Sequence, residues 1–232
     1  METTSNGTER MSAKGGRREV EFVRRKQQQE VKMNKAKGIN TRKLVLLALL
    51  TAIVIVLQFL GAFIRFGPFS ISLVLMPIVI GAALIGVYSG GWLGLVFGLV
   101  VLASGDAGPF LMIDPIGTVV VVLLKGAFAG LAAGAVYKLL AGKNRTVAAI
   151  AAGVVCPIVN TGLFVVGCYI FFLPTLTTWG MDAGFVNVTA FIFLGMVGLN
   201  FLFEFGLNII LSPAIVRLIQ YGQDKRSGEQ GL

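Results

Sequence analysis

From Leu44 onward the chain is a succession of apolar runs separated by short polar or Gly/Pro punctuation. A helix crossing the hydrocarbon core needs about 20 apolar residues, so the stretch from Leu44 to Ile219 has room for about six crossings and little else. The first run covers about Leu44 to Ala62. The turn Arg65-Phe66-Gly67-Pro68-Phe69-Ser70 follows, with Gly-Pro as its breaker. The stretch Ile71 to Ser104 reads either as one long span or as two short ones folded at Tyr88-Ser89-Gly90-Gly91. Further spans are expected at about 116–138, Thr146 to Leu173 and Phe185 to Leu211, the last ending near Ser212-Pro213.

Charge decides the ambiguous stretch. Twelve Lys/Arg and five Glu lie in the first 43 residues. Cytoplasmic loops are the positively charged ones, so this segment is expected inside. The loop Lys138 to Arg145, with three positive residues, is expected on the same side. An even number of spans must then separate the two, which requires two helices in 71–104. The predicted fold is an all-α membrane protein of six transmembrane helices with cytoplasmic N- and C-termini. Eighteen of the 20 Lys/Arg then lie inside, Arg65 lies outside, Lys125 lies within the membrane, and Asp106, Asp114 and Asp182 fall in outer loops. The expected organisation is a basic tail over 1–43, a membrane domain over 44–219 and a short cytoplasmic tail over 220–232. Leu44 to Leu60 is longer than the apolar region of a secretory signal and is read as a retained helix.

Composition narrows the function. The chain is 56% hydrophobic and 13% charged, against about a quarter charged in soluble domains. The net charge of +9 is concentrated in the tail, where Phe22 is the sole aromatic, so a nucleic-acid surface is excluded. The tail suits anionic headgroups or solvent. There is no His, and Cys156 and Cys168 lack metal-ligand spacing, so neither a zinc site nor a disulfide framework is expected. No P-loop occurs, since Gly142-Lys143 lacks the upstream glycine and the following hydroxyl. The chain is therefore not expected to be an enzyme or to carry a cofactor, and any uphill transport must draw on a partner or an ion. Asn144-Arg145-Thr146 and Asn187-Val188-Thr189 match the glycosylation pattern but fall in a cytoplasmic loop and at a helix start, and carry no weight.

Small residues recur at four-residue spacing: Gly90, Gly94 and Gly98; Gly126, Gly130 and Gly134; and the shorter pair Ala48 and Ala52. Such faces let helices approach closely in lipid. The glycine ridges read as internal packing, whereas a peripheral first helix would offer its alanines to another subunit. Polar groups inside the spans are few. They are Lys125, Asn160, and Asn200, Glu204 and Asn208, the last three at i, i+4 and i+8 on one face. A charge at mid-bilayer costs at least about 2.5–3.5 kcal/mol, so these groups must face the bundle interior. A Lys125–Glu204 pair is compatible with their depths, either as a register-fixing contact or as part of a site. The outer loops set aromatics beside polar groups (Arg65 with Phe66 and Phe69, Asp106 and Asp114 with Phe110, Asp182 with Trp179), which suits either a small-molecule pocket or an interfacial belt.

These features together resemble the substrate-binding S component of an energy-coupling factor (ECF) vitamin transporter. Thr41-Arg42-Lys43 leading into Leu47-Ala48-Leu49-Leu50-Thr51-Ala52 resembles the family's first helix. Gly67-Pro68-Phe69-Ser70-Ile71-Ser72, Met76-Pro77-Ile78-Val79-Ile80-Gly81-Ala82, Gly94-Leu95-Val96-Phe97-Gly98 and Asn160-Thr161 are similar to later family segments, so the likeness covers about 41–217. The long basic tail departs from the compact family members. The resemblance implies a multi-pass protein of the bacterial plasma membrane that captures a water-soluble vitamin, pantothenate-like or riboflavin-like, from outside. It implies docking on a transmembrane coupling subunit that carries two ATPases. It places Ala48 and Ala52 at that subunit's interface, and Arg65, Lys125, Asn160, Asn200 and Glu204, with Asn208 deeper, among the binding residues. The competing expectation is a self-sufficient secondary transporter or small channel that uses Lys125 and Glu204 for ion coupling. That reading calls for internal repeats, and none is evident.

Overall fold

A computed structural model describes Arg24, Lys26 and Gln27 and residues 41–63, 65–66, 69–70, 74–198, 201–202, 205–206 and 216–217. The chain divides into two units, Met1–Leu44 and Val45–Leu232. Asn200, Glu204 and Asn208 lie outside the described residues, as does the side chain of Arg65.

Among the described residues the architecture is helical apart from one minimal ladder. Helix α1 (Thr41–Phe63) leads into β1 (Arg65–Phe66), which pairs antiparallel with β2 (Phe69–Ser70), Arg65 opposite Ser70 and Phe66 opposite Phe69. The pairing leaves the breaker Gly67-Pro68 between the two strands. Then come α2 (Leu75–Leu84), α3 (Val87–Ala103), the short α4 (Gly108–Leu111), α5 (Pro115–Leu140) and α6 (Arg145–Gly167). A π-helical turn, Cys168–Phe172, joins α6 to α7 (Leu173–Asp182). The single turn α8 (Val188–Ala190) runs into a second π-helical segment, Phe191–Gly198. Three stretches among the described residues are long and apolar enough to cross a bilayer: Thr41–Ala62, Pro115–Leu140 and Arg145–Asp182.

The stretch 71–104 does hold two helices, but they part at Gly86 and not at Tyr88–Gly91. Gly86 has φ 142° and ψ 173°, a conformation that a Cβ disfavours. Gly90 and Gly91 remain helical because packing uses them. A Cβ on Gly90 would collide with the carbonyl of Gly130. One on Gly94 would collide with the carbonyl of Gly126, and one on Gly98 would lie 2.8 Å from the carbonyl oxygen of Val122. As one number rises the other falls, so α3 and α5 run antiparallel with their backbones in contact. Both glycine ridges serve this one crossing, and α5 packs in turn on α6.

The outer-loop reading of Trp179 and Asp182 is corrected, because both lie in α7. Pro174 does not stop the chain there. It occupies the first turn of α7, where a missing N–H costs little. Phe110 likewise sits in α4 and not in open loop.

Helix starts explain several polar residues. Asp114 caps α5, accepting from the Gly117 N–H at 2.9 Å, with Pro115 following it. Asn144 caps α6, accepting from Thr146 and Val147. Asn187 caps α8, accepting from Ala190 at 2.8 Å. The two glycosylation-like triplets are therefore helix caps.

The apolar interior forms two clusters. The larger joins α1, α2, α3, α5 and α6 around Val54, Leu75, Ile78 and Leu93. The smaller gathers Phe110, Cys168, Phe172, Leu176, Ile192 and Met196. Helix α1 is peripheral: 22% of its apolar window is buried, against 39% for α5. Leu50, Val54 and Gln58 face inward at four-residue spacing, while Ala48 and Ala52 are exposed beside Leu49, Ile53 and Val56.

Candidate binding cavity

Where the two clusters meet, close to the end of α1 and the start of α5, they leave a cavity of about 100 Å³, counted as space open to the centre of a water molecule. One water needs about 10–15 Å³ by that measure, so the space exceeds a single solvent site several times over. Helix α1 contributes Gln58. Helix α3 and the turn after it contribute Phe97, Val101 and Asp106, and α4 contributes Phe110. Thr118, Val121, Val122 and Lys125 follow at i, i+3, i+4 and i+7, one face of α5. Asn160, Thr161 and Phe164 come from α6, Phe172 from the first π-helical turn, and Met196 and Val197 from the second. Ala107 and Phe201 complete the described lining.

Local sequence explains these placements. Pro157 lies inside α6 three residues before Asn160. Its ring removes one N–H from the helical ladder and crowds the preceding turn, on the side of Pro157 away from Asn160. π-Helical turns are found disproportionately at functional sites, and both such segments here reach the cavity.

The polar groups are few and deeply placed. Gln58 is 2% exposed and Asn160 is 6% exposed. Gln58 Nε2 donates to Asp106 Oδ2 at 2.6 Å. A carboxylate can only accept, so this bond orients the amide and leaves Gln58 Oε1 as an acceptor. Gln58 Oε1 and Asn160 Oδ1 find no hydrogen-bond partner among the described residues. A buried acceptor without a donor costs about 1–3 kcal/mol, so these two amides sit at a cost beside the cavity. Thr118, also buried, returns its hydroxyl to the Asp114 carbonyl at 2.7 Å and so stays within its own helix.

The walls are aromatic. Phe110 meets Phe164 edge-on, with centroids 5.4 Å apart, and leans on Phe172 at 5.0 Å. Trp179 of α7 stands 6.3 Å from Phe110 and backs this wall. Lys125 Nζ lies 5.0 Å from the Phe164 ring centre, a cation–π contact that keeps the ammonium beside the cavity. Apolar walls with a few convergent polar groups are the usual composition of a small-molecule site.

Of the residues expected to bind, Lys125 and Asn160 line the same cavity. Arg65 is placed only as a residue of β1, and Asn200 and Glu204 fall outside the described residues, so their pairing and roles remain proposals. Gln58 was missed, although it is the one polar side chain between Ala52 and Ile64 and sits four residues beyond Val54 on the buried face. Asp106 was noted only as an outer-loop acid.

Fold and cavity together describe a protein of long apolar helices with an aromatic cavity among them. The family described as "ECF transporter, substrate-specific component" matches residues 42–216, and the chain belongs to it. ThiT from Listeria monocytogenes has a similar solved structure, with a TM-score of 0.56 at 20% identity, covering 78% of this chain and 99% of that one. At that identity the likeness is one of fold. No curated protein matches the chain.

Proposed function

We propose that this chain is the S component of an ECF-type importer that captures a water-soluble vitamin in the cavity between α1, α3, α5 and α6. The observation that carries the reading is an aromatic cavity lined by Gln58, Asp106, Lys125 and Asn160 in a chain from this family. The membrane domain crosses the bacterial plasma membrane six times with both termini in the cytoplasm. Charge parity supports this, as does the antiparallel crossing of α3 on α5. The cavity end of the bundle then faces outward, where the substrate is met. Because the sequence has no nucleotide-binding motif, energy comes from two ATPases through a transmembrane coupling subunit. The exposed Ala48 and Ala52 on peripheral α1 offer that subunit a small-residue face.

The test is reconstitution. Proteoliposomes holding the purified chain alone should bind vitamin without accumulating it, and adding a coupling subunit with its ATPases and ATP should produce concentrative uptake. Concentrative uptake by the chain alone, driven by a proton gradient, would overturn the proposal.

A further inference from the structure

A second concavity lies on the exposed side of α5 and shares no residue with the cavity. Phe128, Leu131, Ala132 and Ala135 stand at i, i+3, i+4 and i+7, one face of α5, flanked by Val87 of α3 and by Val159 and Leu163 of α6. The groove measures about 500 Å³ by the same count as the cavity, and every side chain lining it is apolar. The face continues past Ala135 to the exposed Lys138 in the last turn of α5. Lys143 in the turn that follows and Arg145 at the start of α6 are exposed at the same end of this helix pair. Among the described residues no acid stands beside them. Between Asp114, which caps the far end of α5, and Asp182, at the far end of α7, the sequence has none. The one other described acid, Asp106, is bonded to Gln58 at the cavity.

Apolarity alone selects nothing on such a face, because lipid chains are as apolar as the side chains they touch. A concave shape can hold one chain, and the choice between lipids then falls to the headgroup. Basic groups at the cytoplasmic end of a helix pair attract anionic headgroups. We infer that this groove seats one acyl chain of an anionic glycerophospholipid from the inner leaflet, with its phosphate met by Lys138, Lys143 and Arg145. The inference rests on the orientation proposed above and is independent of which vitamin is carried. Ala132 and Ala135 leave room for the chain. Lys138 lies about 4.5 Å further along the axis than Ala135, so its apolar stem runs beside the chain and its ammonium reaches the phosphate.

The experiment uses the full chain purified in detergent. Dioleoyl phosphatidylglycerol and dioleoyl phosphatidylcholine are added together in equal amounts, and retained lipid is read by native mass spectrometry. Phosphatidylglycerol should be retained in preference by at least about fivefold, the scale of one cation at an anionic surface. Lys138→Gln with Lys143→Gln and Arg145→Gln should bring the two lipids to within about twofold of each other, although the basic segment over 1–43 is unchanged. Ala132→Leu with Ala135→Leu should lower retained phosphatidylglycerol by at least about fivefold while all three cations remain. Thermal melts confirm that both variants fold, and the competition on the unmodified protein needs no variant. Equal retention of the two lipids by the unmodified protein overturns the inference. A preference that survives the charge substitutions also overturns it and moves the anion to the basic segment. A preference abolished by inorganic phosphate, or indifferent to the alanine substitutions, means an anion site without a chain and overturns it as well. Alanine substitutions that spare lipid retention but abolish co-purification with a coupling subunit assign the groove to that subunit instead. Each of these outcomes leaves the transport reading standing. A cysteine at Asn144 labelled from outside would overturn the orientation, and with it the leaflet assigned here.

Discussion

Gln58 of α1 donates to the carboxylate of Asp106 at 2.6 Å across 48 residues of sequence, tying the peripheral helix to the turn between α3 and α4 at the edge of the cavity. The backbone of α1 makes few close approaches to the other helices, so side-chain contacts of this kind hold it. Trp92 on Thr51 at 3.4 Å is a second, weaker one. Replacing Asp106 with Ala strands the buried Gln58 amide. The expected cost is about 1.5–3 kcal/mol, the range for a hydrogen bond to a charged group. Thermal unfolding should show it, and hydrogen exchange should rise at the Phe59–Phe63 end of α1 before it rises in α5.

The α3–α5 crossing should tolerate no side chain. Gly94→Val or Gly130→Val drives a branched side chain into the facing carbonyl. The expected penalty is at or above the 1–3 kcal/mol usual for overpacking, because backbone and not a flexible side chain must move. Folded yield in detergent is the measure. Gly142→Ala, where an added Cβ meets nothing, is the matched control and should behave as the parent.

Lys125→Met should leave folded yield intact and weaken vitamin binding by about tenfold, since the methionine fills the same apolar space beside Phe164 but offers no charge. Calorimetry and a thermal melt together decide. Lost yield with unchanged affinity would assign Lys125 a structural role. Restoration of that yield by adding Glu204→Gln would then identify its partner.

Ala48 and Ala52 are exposed, so enlarging them should scarcely touch the isolated protein. Ala48→Leu with Ala52→Leu is expected to change stability by less than about 0.5 kcal/mol, as surface substitutions usually do. Vitamin affinity should also be unchanged, while co-purification with a coupling subunit should be lost. Retained co-purification would move the interface elsewhere.

Orientation is checked by chemical access. A cysteine placed at Asp182, the end of α7, should react with an impermeant thiol reagent in intact cells, and one placed at Asn144, the cap of α6, should not. Reaction at Asn144 would reverse the assignment.

The sequence by itself determined the properties that depend on near neighbours. Apolar runs of span length identify a membrane domain because each helix must satisfy its own backbone in lipid. Glycines four apart announce a close helix crossing because one face recurs at that spacing. The pairing of Gly90 with Gly130 and of Gly94 with Gly126 bears this out. The helix caps were equally local, yet Asn144 and Asn187 resembled a different signal, the glycosylation triplet. Only the tertiary structure decided the break at Gly86, one of several glycines in that stretch, because packing had already claimed Gly90, Gly94 and Gly98. It alone carried the helix past Pro174 to Asp182, through a π-helical turn that no simple periodicity foretells. It alone assembled the site, since whether Gln58, Asp106, Lys125 and Asn160 converge depends on how four segments distant in sequence rotate about and cross one another. Polar positions are sparse in each of those segments, and the hydrogen bond and the ring contact exist only between segments.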